Sequence, residues 1–260
     1  MLVIAENLNI RNRVYMEAVK NRDRKAIGTL AEELVEKGAD LINVQCSLDS
    51  IGDENTLPMV AEVVQEVTDL PLCLDSRNVE ALKKALTLCK ESPLINYLSA
   101  DEKNSDEILS LVNRFKASLI LRALKGTVPT TLEAKVMILE DLIEKANAAD
   151  IPNGRLFADP SVVHMTGGMG QEHLLNTREC IIVLKEMVEP QINTITWITN
   201  ISTGLPKKLK PRINSAFLCY LAGAGLDAAM MNVTDEEMMK AVYLIKSFRD
   251  ETIFSPADIS

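Results

Sequence analysis

Eight short β-type runs alternate with amphipathic segments along the whole chain, and this alternation constrains the fold more than any other feature. The runs fall at residues 2–5, 41–44, 71–75, 94–97, 118–123, 156–159, 194–200 and 228–233. Most are continuous apolar stretches, as parallel strands covered on both faces require. Helical patterns fill the gaps. Ile27, Leu30, Ala31, Leu34 and Val35 follow an i, i+3, i+4, i+7, i+8 stripe, with Asp23 placed to cap the helix and Gly38 to end it. Asn78 is placed to cap a helix carrying Leu82, Ala85, Leu86 and Cys89 on one face, and segments 59–67, 105–115, 131–148, 174–188, 213–224 and 235–248 read the same way. Eight strand–helix units in 260 residues, about 32 each, match a closed (β/α)8 barrel. An α/β TIM barrel forming one domain over residues 1–260 is therefore expected. A doubly wound open sheet usually has fewer strands and a glycine-rich turn after the first. The glycine cluster here, Gly167-Gly168-Met169-Gly170, follows the sixth run instead.

Composition narrows the function classes. The formal net charge is −9 and aromatic residues are 4% of the chain, which argues against a nucleic-acid partner needing a basic face and stacking platforms. No apolar run approaches the roughly 18 residues of a membrane span. The opening MLVIAENLNIRNRV has no basic leader or cleavage pattern, so a cytoplasmic protein is expected. Cys46, Cys73, Cys89, Cys180 and Cys219 are odd in number, widely spaced and free of any CxxC pair, as reduced core thiols would be.

A barrel carries its active site at the C-terminal ends of its strands. The first run leads into Glu6, Asn7 and Asn9. The second contains Asn43 and ends at Gln45, the third ends at Asp75 and Ser76, and the fourth reaches Asn96. The fifth reaches Arg122 and Lys125, the sixth ends Asp159-Pro160, the seventh ends Thr199-Asn200, and the eighth reaches Asn232 and Asp235. Singly, such residues serve as helix caps and turns. Together, Asp75, Asn96, Asp159 and Asn200 converge on one mouth as an array of hydrogen-bond donors and acceptors. The sequence holds two histidines, His164 and His173, and no zinc spacing, GxSxG elbow or P-loop, so no metal site is expected. A flat, nitrogen-rich ring such as a pterin suits this array, because one carboxylate accepts a ring N–H and its adjacent amino group together.

The segments AENLN, LINVQ, LCLDS, LINY, FADP, GQEH, ITNIS and PRINSAFLCYLAGAGLDAAM, in this order, resemble the pterin-binding barrel family. The nearest resemblance is to its methyltetrahydrofolate:corrinoid protein methyltransferase branch, similar in turn to the folate domain of cobalamin-dependent methionine synthase. The resemblance implies a homodimer that binds tetrahydrofolate or methyltetrahydrofolate and exchanges a methyl group with the cobalt of a corrinoid carried by a partner protein. It implies that Asp75, Asn96 and Asp159 hold the pterin and that Asn200 sits beside the methyl-bearing nitrogen. Asn7 and Asn43 match amide positions near the site, and Ser202, Lys208, Lys210 and Arg212 lie in a loop that supplies polar contacts. Asn200 is the expected catalytic group, slowing methyl transfer more than binding when lost. The remaining amides and acids, with Ser202 and Arg212, are expected to bind substrate.

The chain departs from the family at two strands. The second reads LINVQ where the family reads Asp-x-Asn-x-Gly, so Leu41 and Gln45 replace an acid and a glycine. The fifth-strand loop LILRALKGTVP is altered, and Arg122 there either meets a ligand carboxylate or pairs with a neighbouring acid. These departures suit a divergent subgroup such as the folate-side component of an anaerobic demethylase system. The glycine cluster would let its loop move aside for the partner, the two histidines are expected to serve structure, and strand alternation counted back from Asn200 turns Trp197 toward the helices. Two alternatives stand beside this reading: a dihydropteroate synthase-like enzyme, whose characteristic first and second loops are not present here, and a non-catalytic folate-binding or corrinoid-protein docking module.

Overall fold

The computed structural model describes residues 1–166 and 171–259, so the glycine cluster expected to form a mobile loop lies outside the described residues. Eight parallel strands close into a barrel in chain order: β1 (Leu2–Leu8), β2 (Leu41–Gln45), β3 (Leu72–Asp75), β4 (Leu94–Leu98), β5 (Ser118–Arg122), β6 (Leu156–Asp159), β7 (Asn193–Trp197) and β8 (Ala228–Met231). Helices α1 (Arg13–Lys20), α2 (Arg24–Glu36), α3 (Asp53–Val67), α4 (Val79–Leu86), α5 (Ser105–Arg114), α6 (Leu132–Ala148), α7 (Glu172–Met187), α8 (Lys210–Ala222) and α9 (Glu236–Phe248) lie in the connections. The expected (β/α)8 barrel is what forms. Among the described residues no helix is long and apolar enough to cross a membrane.

The expected caps are made. Asp23 accepts from the Ala26 N–H at 3.0 Å, Asn78 from Ala81 at 2.9 Å, and Gly38 leaves α2 at a φ of +87° that only glycine takes without strain. The α2 stripe buries Ile27, Ala31 and Leu34, while Val35 stays 38% exposed at its edge.

Three local expectations need correction. Helix α1, in the loop after β1, carries only a short apolar pattern; the Asn12 side chain starts it by accepting from the Val14 and Tyr15 N–H groups. Helix α3 begins at Asp53, ahead of Pro58, where the pattern suggested a start after the proline. Pro58 removes one N–H from the helix, and the Lys84 Nζ donates to the Glu54 carbonyl at 3.2 Å, the acceptor that this leaves open. Strand β7 stops at Trp197 and the chain turns into a 3₁₀ segment, Ile198–Ser202, so the run expected to reach Asn200 as strand is shorter.

Candidate functional site

Strand alternation builds the site. Ile4, Leu41, Cys73, Leu94, Ile120, Ile195, Ala228 and Met230 pack together as the lumen plug, with Phe157 and Trp197 against it. Two residues further along each strand, on the same face, stand Glu6, Asn43, Asp75, Asn96, Arg122, Asp159, Trp197 and Asn232. Register keeps neighbours level: Gln45 pairs with Asp75, Asp75 with Asn96, and Arg122 with Asp159. The ring closes where the Asn7 amide donates to the Asn232 Oδ1 at 2.5 Å. Trp197 thus faces the lumen, contrary to the expectation. Parity holds only while the strand persists, and the 3₁₀ turn breaks the count between Trp197 and Asn200.

Above the ring opens a cavity of about 670 Å³, within the range of small-molecule sites. Glu6, Asn7, Gln45, Asp75, Tyr97, Arg122, Trp197, Thr199, Asn200 and Ser202 are among its walls. Asn43, Asn96 and Asp159 lie beneath, at 0%, 3% and 5% exposure, and do not line the open space. Arg212 is exposed on α8 and outside the lining, as is Lys208; Lys207 and Lys210 line it instead.

The Asp75 Oδ2 accepts from the Gln45 Nε2 at 2.8 Å. Burial pushes this carboxyl up to about 7, although the Gln45 hydrogen bond and the Arg122 charge act the other way. Gln45, one of the departures from the family pattern, is therefore the direct partner of Asp75. Arg122 resolves as an acid partner: its Nε lies 3.6 Å from the Asp159 Oδ2 and donates to the Ser161 Oγ at 3.2 Å, and its guanidinium sits 4.7 Å from the Tyr97 ring centroid. Asp159 also accepts from the Ser161 N–H at 2.8 Å. Burial still raises its pKa, outweighing Arg122, the Ser161 N–H and Lys135.

Beneath the β6 loop lies Lys135, 1% exposed, whose Nζ donates to the Pro160 carbonyl at 2.5 Å and the Ser161 carbonyl at 3.0 Å. Burial lowers its pKa to about 8. On the opposite wall Glu6 accepts from the Trp197 Nε1 and from the Thr199 Oγ1 at 2.7 Å; burial raises its pKa against those bonds and the charges of Arg11 and Lys210. The sequence signal for Glu6 was its place at the first strand end. Lys135 gave none, since a lysine in a helix reads as surface.

The Asn200 side chain is half-buried on the cavity wall and has no hydrogen-bond partner among the described residues, so both its donor and its acceptor are free. The Asn43 Nδ2 is buried without a partner, while its Oδ1 accepts from Asn96 at 3.4 Å. His164 bonds Thr166, and the buried His173 bonds the Val163 carbonyl at 2.9 Å. Among the described residues no three His, Cys, Asp or Glu side chains gather as a metal would need. The site offers a buried carboxyl with a raised pKa, an open amide at Asn200 and an aromatic wall, which suit recognition of a polar heterocycle.

Known proteins resemble this one in sequence and in shape. The chain is 30% identical over 247 residues to the methylcorrinoid:tetrahydrofolate methyltransferase of Eubacterium limosum, covering 94% of this chain and 89% of that protein. It is 25% identical over 248 residues to the methionine synthase of Mycobacterium leprae, covering 90% of this chain but 20% of that longer protein. Among solved structures, a Coxiella burnetii dihydropteroate synthase in complex with pteroic acid superposes with a TM-score of 0.71 at 13% identity, covering 96% of this chain and 94% of that one. Yersinia pestis DHPS with a pterine–sulfa conjugate gives 0.70 at 15% identity, with the same two coverages. At those identities the structural likeness speaks for the fold alone. The family match is described as pterin binding enzyme and runs over residues 6–232, from the first to the last member of the ring of mouth-facing side chains. With that ring, the barrel and the Eubacterium limosum relative in agreement, this chain belongs to the pterin-binding enzyme family.

Proposed function

We propose that this protein is a methyltransferase that moves a methyl group between N5 of tetrahydrofolate and the cobalt of a corrinoid held by a partner protein. The observation that carries the reading is the pairing, on one cavity, of the Asp75 carboxyl with the unpartnered Asn200 amide. The name of the Eubacterium limosum relative supports the direction from methylcorrinoid to tetrahydrofolate, as the folate-side half of a demethylase system. The family resemblance extends the proposal to a homodimer, which light scattering on the purified protein would test.

In this reading Asp75 as carboxylate accepts the ring N–H and amino group of the pterin. Gln45 and Arg122 favour that charged form, against the burial that raises the pKa to about 7. Asn43, buried beneath, acts on the pterin through Asp75, its side chain favouring the carboxylate form. Asp159 and Asn96 act from the floor: Asp159 holds Arg122 against the cavity, and Asn96 orients Asn43. The corrinoid supplies the methyl and retains the electron pair of the broken cobalt–carbon bond, becoming cob(I)amide. The N5 lone pair forms the new bond, and its proton leaves to water through the open mouth. As positive charge builds on N5, the Asn200 Oδ1 accepts the N–H and its bond strengthens, lowering the barrier. In reverse, the same contact favours the protonated amine that must leave. Asn7 and Ser202 brace the site: Asn7 ties β1 to Asn232, and the Ser202 Oγ donates to the Thr199 carbonyl at 3.2 Å.

Calorimetric titration with tetrahydrofolate and methyltetrahydrofolate tests the pterin site, with Asp159→Ala as control. Saturable binding of both, weakened by the substitution, is expected. No heat at millimolar ligand would remove the reading.

A further inference from the structure

The Asn200 amide lines the cavity without a hydrogen bond of its own among the described residues. Its position is therefore set by the backbone beneath it, the 3₁₀ segment Ile198–Ser202. The barrel's ladder stops short of that segment. β7 makes its last pairing with β8 at Trp197 and Met230, and β8 makes its last with β1 at Met231 and Ala5. Behind the turn, Ile198 and Ile201 are buried in the core. On the cavity side the turn is gripped by Glu6, the residue after Ala5, whose carboxyl bridges β1 to the end of β7 across the intervening β8. The Glu6 Oε2 accepts from the Trp197 Nε1, and both carboxyl oxygens accept from the Thr199 Oγ1 at 2.7 Å. Among the described residues, all the hydrogen bonds of this carboxyl go to those two side chains, the second of which directly precedes Asn200.

Stability does not account for such an acid. Burial raises its pKa in spite of these bonds and of the Arg11 and Lys210 charges. An apolar side chain of similar volume would fill the wall without that penalty. What the carboxyl adds is direction. Two donors on one planar acceptor fix the orientation of the Trp197 indole and the path of the chain at Thr199. One peptide unit passes that constraint on to Asn200.

We infer that Glu6 is the positioning residue for Asn200: by holding Trp197 and Thr199 across the barrel mouth, it sets the 3₁₀ turn so that the Asn200 amide meets N5 of the folate. The inference rests on the proposed function. Glu6 works through the turn and not on the substrate, so its loss is felt in the methyl-transfer step and leaves the pterin contacts of Asp75 on β3 in place.

The test is a double-mutant cycle on the full chain. Its readouts are the single-turnover rate of methyl transfer from methylcobalamin and the calorimetric affinity for tetrahydrofolate. Misplacing a reacting group by about 1 Å costs up to about a hundredfold in rate, so Glu6→Ala should slow transfer about 10- to 100-fold while the dissociation constant moves by less than about threefold. In an Asn200→Ala background the same substitution should cost less than about threefold more, because the group it positions is already gone. Glu6→Gln, which keeps the length and one acceptor oxygen, should recover part of the rate. The fluorescence of Trp197, the single tryptophan, should shift to longer wavelength in Glu6→Ala as water replaces the carboxylate. If Glu6→Ala fails to fold, Thr199→Val and Trp197→Phe remove the two donors instead and enter the same cycle. Losses from Glu6→Ala and Asn200→Ala that multiply in full overturn the inference, because Glu6 then acts independently of Asn200. So does an unchanged transfer rate in Glu6→Ala, or a fall in affinity equal to the fall in rate. In each of those cases the proposed function stands. A wild type that binds tetrahydrofolate but gives no methyl transfer, with methylcobalamin or with a methylated corrinoid protein, overturns both.

Discussion

The raised pKa of Asp75 makes ligand binding and folding stability respond to pH in opposite directions. Burial lifts the carboxyl from 3.8 to about 7. If the carboxylate is the form that accepts the pterin N–H groups, the apparent dissociation constant scales as one plus the ratio of protonated to ionised Asp75. At pH 6 that is about tenfold weaker binding than the plateau above pH 8, and at pH 5 about a hundredfold. Folding runs the other way. Between 3.8 and about 7 the folded protein holds a proton that the unfolded chain has released. Linkage then makes the contribution of Asp75 largest below that window and has it decline as pH rises to about 7. Replacing Asp75 by Asn removes both trends. It also costs about 3 kcal/mol of binding above pH 8, or roughly 150-fold, since hydrogen bonds to a charged acceptor are lost. The assay is calorimetric titration with tetrahydrofolate at several pH values, paired with thermal melts of both proteins without ligand. The melting point of the Asn variant should gain on the wild type between about pH 5 and pH 7. A dissociation constant that stays flat across this range in the wild type, or the same slope in Asp75→Asn, would refute the reasoning.

Other substitutions separate chemistry from scaffolding. Asn200→Ala should lower the methyl-transfer rate about 10²–10³-fold while moving the folate dissociation constant by less than about threefold, because the bond it removes strengthens as charge develops; equal losses in single-turnover rate and binding would sink the role. Lys135→Met should leave the Pro160 and Ser161 carbonyls without their buried donor, at about 2 kcal/mol, and lower the melting temperature by about 4–8 °C. An unchanged melt would mean water or another group replaces it. Ile4→Ala, in the lumen plug, should destabilise by about 2–5 kcal/mol in denaturant titration, and a loss under about 1 kcal/mol would show that the plug collapses around the gap.

Much of this was legible in the sequence because the barrel repeats one simple pattern. Runs of four to seven residues, mostly apolar, marked the strands, and polar residues at their ends marked the mouth. Asp75, Asn96, Asp159 and Asn200 all stand at the mouth end of the barrel, but depth could not be read: Asn96 and Asp159 sit in the floor while Asp75 and Asn200 face the open cavity. Depth depends on side-chain partners from other strands, as with Arg122 over Asp159. The Trp197 error has a local cause, since a 3₁₀ turn and a strand look alike over ITNIS, where β-branched residues and Asn suit either. Lys135 was illegible for another reason. A buried lysine is stabilised by carbonyls on a distant loop, and nothing in its own helix announces them. Arg212 was chosen from its loop, and only the path of α8 sets it outside the lining.

The most direct test of methyl transfer is a single-turnover experiment under reducing, oxygen-free conditions. The protein is mixed with methylcobalamin and tetrahydrofolate, and the optical spectrum of cob(I)alamin is followed together with chromatographic analysis of the folate. Stoichiometric appearance of methyltetrahydrofolate and cob(I)alamin, slowed about 10²–10³-fold in Asn200→Ala, is the expected result. Folate that binds but never exchanges its methyl group, with free methylcobalamin or with a methylated corrinoid protein, would contradict the account and leave a pterin-binding barrel without this chemistry.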